Sequence, residues 1–197
     1  MRKIKVSTLL RREVVAELVK DRKPDLLVLS GLGSSTWDLA AAGATDQNFY
    51  FIGAMGMTVP TALGLALARE ENRVLVITGD GDMLMSLGIL ATIGTQKPSN
   101  LAIAVLDNGI YGETGGQETA TSGGTNLEMV AKGAGIENAS TVITEEDLAT
   151  AKQEIISGTG PVFINIIVAK EDLPLVMPPI DGITVTHRFR KSLIGKP

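Results

Sequence analysis

The chain has 197 residues and a formal net charge of −4, and 44% of its residues are hydrophobic although only 4% are aromatic. A chain of this length can bury an aliphatic core as one domain. Its negative charge gives no electrostatic reason to expect nucleic acid or an anionic membrane as a partner. It has no cysteine, which excludes disulfides and thiolate metal sites. No apolar run approaches a membrane span and the basic start lacks the apolar stretch of a signal peptide, so we expect a soluble, cytoplasmic protein.

Helical patterns alternate with short apolar runs along the first part of the chain. Apolar spacing predicts an amphipathic helix over residues 8–20 and a second helix over residues 58–69. Short runs of aliphatic residues predict buried strands at 26–30, 49–52 and 74–78.

The same alternation continues in the second part. Residues 83–94 are apolar almost all round, which predicts one buried helix. Further strands are predicted at 101–106 and 161–168, and helices at 126–132 and 144–157, the latter opened by a capping box.

Strands that alternate with helices predict a parallel sheet with helices on both faces, a three-layer, doubly wound α/β fold. We expect this domain to span residues 1–170 and residues 171–197 to form a tail with a short terminal helix. Ligands of such sheets bind beyond the carboxyl ends of the strands. The Gly- and Thr-rich loop at 107–125 follows one of these ends, and loops of this length are usually functional or mobile.

Two glycine motifs follow predicted strands. The first, GLGSST from Gly31 to Thr36, begins like a dinucleotide-binding fingerprint. Thr36 stands where the third glycine should be, and no convincing second strand ends in a ribose-binding acid. We therefore favour a tight turn before a helix, with Ser34 and Ser35 lining a pocket.

The second motif combines glycine with oxygen ligands at two strand ends. Gly79, Asp80 and Gly81 follow one strand, and Asp107 with Asn108 follows the next. The glycines let backbone amides approach an anion closely. Carboxylate and amide oxygens suit Mg²⁺ or Ca²⁺, and Mg²⁺ takes most of its ligands from phosphate and water. This motif is the stronger candidate for a phosphate and metal site.

The second motif resembles the signature of thiamine diphosphate-dependent enzymes, in which GDG is followed, after a spacing like the 25 residues found here, by NN. Asp107 replaces the first Asn, but the family's metal-ligating Asn corresponds to the retained Asn108. The resemblance implies a thiamine diphosphate-binding fold and Mg²⁺ held by Asp80, Asn108 and the carbonyl of Ile110.

A second block, GAMG from Gly53 to Gly56 with Pro60 following, resembles another segment of the same family. The resemblance implies that Met55 wedges between the two rings of the cofactor, and that the Gly53 carbonyl accepts a hydrogen bond from its 4′-amino group. Taken alone, Met55 could equally be an ordinary core residue. The other residues expected to contact the cofactor are Ser34, Ser35, Gly79, Gly81, Asp82, Tyr111 and Gly112.

One part of the family's catalytic apparatus is missing from the sequence. In relatives, a separate pyrimidine-binding domain carries the glutamate that activates the cofactor at N1′. Glu113 and Glu118 follow the metal loop and do not match that context. The resemblance therefore implies that a second subunit carrying this domain supplies the glutamate, in a hetero-oligomer with its sites between subunits.

Within the family, the chain resembles the β subunits of sulfopyruvate decarboxylases and the C-terminal domains of phosphonopyruvate decarboxylases. This implies a lyase that decarboxylates a small 2-oxo acid. A carboligase or lyase of the acetolactate-synthase type is the alternative. A catalytically silent diphosphate-binding module is a further one, although the intact Asp80, Asn108 and Met55 argue against it.

The substrate end of the site is less clear from the sequence. An arginine that those decarboxylases carry near Trp37 is absent. The basic residues His187, Arg188, Arg190 and Lys191 near the C-terminus form either an anion clamp or, in the interpretation we favour, a solvated surface. His187 is the single histidine and hence a candidate for proton transfer.

Overall fold

The computed structural model describes residues 9–195, in which six parallel strands form one sheet. In chain order the strands are β1 (Leu26–Ser30), β2 (Asn48–Tyr50), β3 (Arg73–Gly79), β4 (Leu101–Asp107), β5 (Ile110–Tyr111), β6 (Gln117–Glu118), β7 (Asn138–Val142) and β8 (Val162–Ile167). The sheet order is β2-β1-β3-β4-β8-β7, while β5 and β6 form a separate antiparallel pair. Because β1, β3 and β4 are parallel neighbours, their carboxyl ends meet at one edge of the sheet.

Helices cover both faces of this sheet, which confirms the predicted three-layer α/β fold. They are α1 (Arg11–Val19), α2 (Ser34–Ala41), α3 (Thr58–Ala68), α4 (Asp80–Leu84), α5 (Ile89–Gln96), α6 (Leu127–Gly133), α7 (Glu145–Ser157) and α8 (Gly182–Ile194). Side chains of β1 alternate between the two layers: Leu26 and Val28 pack with α1 and α7, whereas Leu27 and Leu29 pack with α3 and α5. Burial on both faces explains why these strands are aliphatic throughout.

The prediction of one helix over residues 83–94 is wrong. The segment forms two helices, α4 and α5, separated by turns at residues 85–88. Through this break the backbone N–H groups of Met85, Ser86 and Ile89 bond to carbonyls three residues earlier rather than four. The chain begins α4 directly at Asp80, so the glycine motif is itself the first turn of a short helix.

Two further elements were not predicted. Strand β7 is short and polar (Asn-Ala-Ser-Thr-Val) and lies at the sheet edge, so it lacks the aliphatic run that marks the other strands. The loop at 107–125 contains β5, a 3-10 turn at Gly112–Thr114 and β6. This loop is therefore a structured hairpin.

The C-terminal segment packs back on the domain and ends in a 13-residue helix, longer than the short one expected. Phe189 of α8 lies edge-on to Phe49 of β2, with 5.4 Å between ring centroids. Arg69 after α3 also donates to the carbonyl of Leu193 at 2.7 Å. Of the predicted first helix, residue 8 lies outside the described residues, and the helix begins at Arg11. In the described range, every helix is too short or too polar to cross a membrane.

Candidate functional site

A cavity of about 230 Å³ opens where β1, β3 and β4 end. All the predicted cofactor-contacting residues except Gly53 line it; Gly53 lies exposed two residues before Met55. The lining residues are Arg11, Leu32, Ser34, Ser35, Met55, Gly79, Asp80, Gly81, Asp82, Met85, Leu106, Asn108, Ile110, Tyr111, Gly112, Glu113 and Thr114. The fold thus brings residues far apart in the sequence to one site.

Strand register places the two oxygen-bearing motifs side by side. Gly79, the last residue of β3, pairs with Leu106 of β4, so Asp80 and Asp107 follow neighbouring positions at the sheet edge. Asp80 is 1% exposed. Burial is therefore the main influence on the pKa of its carboxyl group.

Two threonines from the hairpin loop orient the Asp80 carboxylate. Thr119 and Thr121 donate their hydroxyls to Asp80 Oδ2 at 2.5 and 3.0 Å. The Thr121 hydroxyl also lies 2.8 Å from Asp107 Oδ1, and the Asn165 amide donates to Asp107 Oδ2 at 3.1 Å. One threonine hydroxyl therefore stands between two buried carboxylates, and its single proton cannot satisfy both fully.

These surroundings raise the pKa of Asp80 above its ordinary value. Burial is the main cause and the nearby Asp107 carboxylate adds to it, while the hydrogen bonds from Thr119 and Thr121 act in the opposite direction. A bound cation would offset both causes by stabilising the ionised carboxylate. The charge arrangement thus fits a site built to receive a positive ion.

The donor set fits a hard divalent cation. Asp80 lines the cavity together with Asn108 and Ile110. Among the described residues, the side-chain hydrogen bonds to Asp80 all go to Oδ2, so Oδ1 remains available to a ligand. The Asn108 side-chain oxygen accepts the Ile110 N–H at 3.0 Å, which fixes the amide at the start of the hairpin and leaves that oxygen a second lone pair. The described residues contain no cluster of three His, Cys, Asp or Glu side chains. Mg²⁺ needs only one or two protein carboxylates, so this sparse set suits it.

Met55 is a wall of the cavity and not a core residue. Its side chain is 36% exposed, and a Cβ added at Gly81 would lie 3.5 Å from the Met55 methyl and 2.5 Å from a Tyr111 ring carbon. Only glycine at position 81 therefore allows Tyr111 to approach the α4 backbone this closely.

Asp82 holds the Met55 segment in place. Its Oδ1 accepts the Gly56 N–H at 2.6 Å, and its Oδ2 accepts the Thr78 hydroxyl. Both carboxylate oxygens therefore already have donors within the protein. Asp82 lines the cavity as predicted, but these contacts indicate that it positions the neighbouring segment.

The first glycine motif forms the predicted tight turn before a helix. Gly33 has a φ of +74° and precedes α2, whose first residues Ser34 and Ser35 line the cavity. Thr36 is buried and donates its hydroxyl to the Gly31 carbonyl at 2.8 Å. Its role is to close the turn.

The sequence analysis did not identify three residues of the site, and it named His187 as a candidate that the structure places elsewhere. Thr119 and Thr121 carried only the general signal of a Thr-rich loop. Arg11 was not singled out within the predicted first helix, yet it is buried, pairs with Asp38 and lines the cavity. His187 is exposed on α8, which packs against β2, and within the described range it does not line this cavity.

The basic group at the C-terminus is likewise absent from the lining among the described residues. Arg188 forms an ion pair with Asp46 at 2.7 Å. His187, Arg190 and Lys191 are exposed. This placement agrees with a solvated surface.

Glycines, a buried carboxylate and an amide lie together at the strand ends of a parallel α/β sheet, where ligands of such folds bind. Comparison with known proteins identifies the class. Residues 31–166 match the family described as "Thiamine pyrophosphate enzyme, C-terminal TPP binding domain". The chain belongs to this family of thiamine diphosphate (thiamine pyrophosphate) enzymes.

Two curated relatives and one solved structure place the chain within the family. It is 36% identical over 160 residues to sulfopyruvate decarboxylase subunit beta of Methanocaldococcus jannaschii, covering 81% of this chain and 82% of that protein. It is 34% identical over 188 residues to phosphonopyruvate decarboxylase of Streptomyces viridochromogenes, covering 95% of this chain but 47% of that protein. Benzoylformate decarboxylase of Polynucleobacter necessarius shares the fold with a TM-score of 0.69 at 24% identity, covering 84% of this chain and 33% of that chain.

Proposed function

We propose that this chain is the diphosphate- and metal-binding subunit of a heteromeric, thiamine diphosphate-dependent 2-oxo acid decarboxylase. The observation that carries the proposal is the meeting of Asp80, Asn108 and Met55 in one cavity at the sheet edge. The similarity to sulfopyruvate and phosphonopyruvate decarboxylases supports this class of substrate, a small 2-oxo acid with a second anionic group.

The polar end of the cavity would hold Mg²⁺ and the diphosphate. Asp80 and Asn108 would be the side-chain ligands of the ion, with the Ile110 carbonyl as a third. Thr119 and Thr121 keep the Asp80 carboxylate in one orientation, so the ion meets a preorganised ligand. When bound, thiamine diphosphate supplies the carbon nucleophile and the electron sink for decarboxylation.

The apolar end of the cavity would set the cofactor's shape. Met55 stands at the cavity wall beside Gly81 and Tyr111, where a bulky, flexible side chain can support two rings from one side. The hydrogen bond from Gly56 to Asp82 fixes the backbone next to it. We infer that Gly53, two residues earlier, contributes its carbonyl to the aminopyrimidine.

A second subunit would complete the site. Apolar side chains beside the cavity are exposed, with Ile52 at 41%, Met57 at 50% and Met85 at 63%. Such a patch marks an interaction surface more often than a free one. The similarity to a protein named subunit beta supports this proposal. The partner would carry the pyrimidine-binding domain and the glutamate that faces N1′.

We also propose that residues 1–170 form the cofactor-binding domain and residues 171–197 a tail, of which the described part packs back on the domain. A cytoplasmic location is supported by the lack of cysteine in the sequence.

The test is a decarboxylation assay with this chain alone, with a co-expressed pyrimidine-domain chain, and with that partner plus the Asp80→Ala variant. Sulfopyruvate, phosphonopyruvate and pyruvate serve as substrates, and free aldehyde and CO₂ are measured. We expect turnover only when both wild-type chains are present. A new carbon–carbon bond in the product would show a carboligase instead. Turnover by the isolated chain would contradict the split site.

A further inference from the structure

Arg11 gives the cavity a positively charged group from outside the matched family domain. The match begins at residue 31, whereas Arg11 lies in α1. Its side chain is 6% exposed, its Nε donates to Asp38 Oδ2, and it lines the cavity beside Ser34 and Ser35. The pair with Asp38 accounts for the burial of the guanidinium, and its place in the cavity lining raises the question of what it contacts there.

Arg11 shares its ionic partner with a second arginine. The fully buried Asp38 carboxylate accepts hydrogen bonds from both Arg11 and Arg12. Arg12 is 26% exposed and also donates to the Pro174 carbonyl at 2.9 Å. Among the described residues, Asp38 is the one acceptor for the Arg11 guanidinium, whose terminal nitrogens lack a partner. These N–H groups are therefore available to an anion in the cavity.

The start of α2 presents unpaired donors to the same part of the cavity. Its N-cap is Gly33, which has no side chain to accept the first N–H groups. Ser35 is 3% exposed and lines the cavity, and within residues 9–195 its hydroxyl has no hydrogen-bond partner. Ser34 and Ser35 precede Asp38 by four and three positions in α2, so all three side chains lie on the same face of this helix. Asp38, which pairs with Arg11, is therefore next to the two serines. A helix start with free N–H groups favours an anion.

Three acids lie near this site. Glu171 accepts the Arg11 backbone N–H at 2.5 Å, and within the described range it does not line the cavity. Glu113 lines the cavity, but it is exposed and accepts the Trp37 indole N–H at 3.2 Å. Asp82 lines it too, with both carboxylate oxygens already bonded to Gly56 and Thr78.

We propose that Arg11, oriented by Asp38, binds the terminal phosphate of the cofactor's diphosphate together with Ser34 and Ser35. The inference rests on the proposed function and deepens it, because it adds a phosphate-binding arginine from α1 to the metal ligands Asp80 and Asn108. Two forked N–H donors match a phosphate bidentately, which a lysine cannot do.

The test compares variants of the two arginines that share Asp38. Titration calorimetry measures the binding of inorganic pyrophosphate, with saturating MgCl₂, to the full chain as wild type, Arg11→Gln and Arg12→Gln. We expect Arg11→Gln to weaken binding by about tenfold or more and Arg12→Gln by less than about twofold, since a hydrogen bond to a charged group is lost only in the first. Circular dichroism confirms that both variants are folded.

A second measurement needs no variant at the site. In nitrogen NMR spectra of the wild-type arginine side chains, pyrophosphate with MgCl₂ should shift the Arg11 resonances and leave those of Arg12, assigned with Arg12→Gln, in place. Equal losses for both variants, or unmoved Arg11 resonances, would overturn the proposal while leaving metal-dependent binding intact. Weakened binding of oxalate with unchanged binding of pyrophosphate would also overturn it, assigning Arg11 to a substrate carboxylate. Failure of the wild type to bind pyrophosphate would instead refute the proposed function itself.

Discussion

Asp82 offers a sharp test of how the cavity keeps its shape. Its two carboxylate oxygens accept the Gly56 N–H and the Thr78 hydroxyl, and its side chain is almost completely buried. Gly56 has a φ of +83°, and a Cβ there would lie 2.8 Å from the Cβ of Met85, so the position requires glycine. Replacing Asp82 with alanine therefore releases the segment that presents Met55 to the cavity.

The expected loss follows from the two hydrogen bonds. Each bond to a charged acceptor contributes about 1.5–3 kcal/mol, so their sum is about 3–6 kcal/mol. This sum is an upper bound, because removing the carboxylate also removes the cost of burying it. We expect Asp82→Ala to lower the free energy of unfolding by about 2–4 kcal/mol. Asp82→Asn keeps an oxygen for Gly56 and an amide that can donate to Thr78, so about 1 kcal/mol is expected.

Urea unfolding measures these free energies, and hydrogen exchange at the Gly56 amide locates the change. In Asp82→Ala this amide should exchange faster than the global loss of stability requires, because its acceptor is gone. Asp82→Asn is the matched control and should leave most of the protection in place. An Asp82→Ala free energy within about 0.5 kcal/mol of wild type, with unchanged exchange at Gly56, would refute the positioning role of Asp82.

Two further predictions concern Met55 and Asp80. Met55→Ala should lower turnover of the assembled enzyme more than it lowers thermal stability, whereas Met55→Leu nearly keeps the volume and should be mild; a proportional loss of stability and activity would make Met55 a plain structural residue. Because burial raises the pKa of Asp80, the native metal-free chain binds a proton more tightly than the unfolded chain, so stability falls as pH rises from the usual Asp value through the raised one. Asp80→Asn should therefore raise the thermal midpoint of the metal-free chain at pH 7, each kcal/mol corresponding to about 2–4 °C, and a lowered midpoint would contradict the sign of the effect.

The sequence predicted those parts of the fold that depend on local patterns. The interiors of strands such as β3 and β4 are buried on both faces and hence mainly aliphatic, so they were visible as short apolar runs. Strand β7 is an edge strand of polar residues and was missed for that reason. The break between α4 and α5 was also missed, because apolar composition alone does not show where the backbone hydrogen bonds change from four residues apart to three.

The candidate site divides in the same way. Asp80 and Asn108 follow strand ends, so strand order alone places them together. Thr121 and Arg11 reach the site through contacts with residues far away in the sequence, 41 positions from Asp80 and 27 from Asp38 respectively. No local pattern encodes such contacts.

The central claim is that this chain binds thiamine diphosphate through a divalent ion held by Asp80 and Asn108. The direct measurement is a calorimetric titration of the chain, assembled with its pyrimidine-domain partner, with thiamine diphosphate in saturating MgCl₂ and again after chelation. We predict saturable binding with the metal and a loss of more than about a hundredfold in affinity without it. The Asp80→Ala variant should bind as weakly in MgCl₂ as the chelated wild type does. Affinity that survives both chelation and Asp80→Ala would contradict the account.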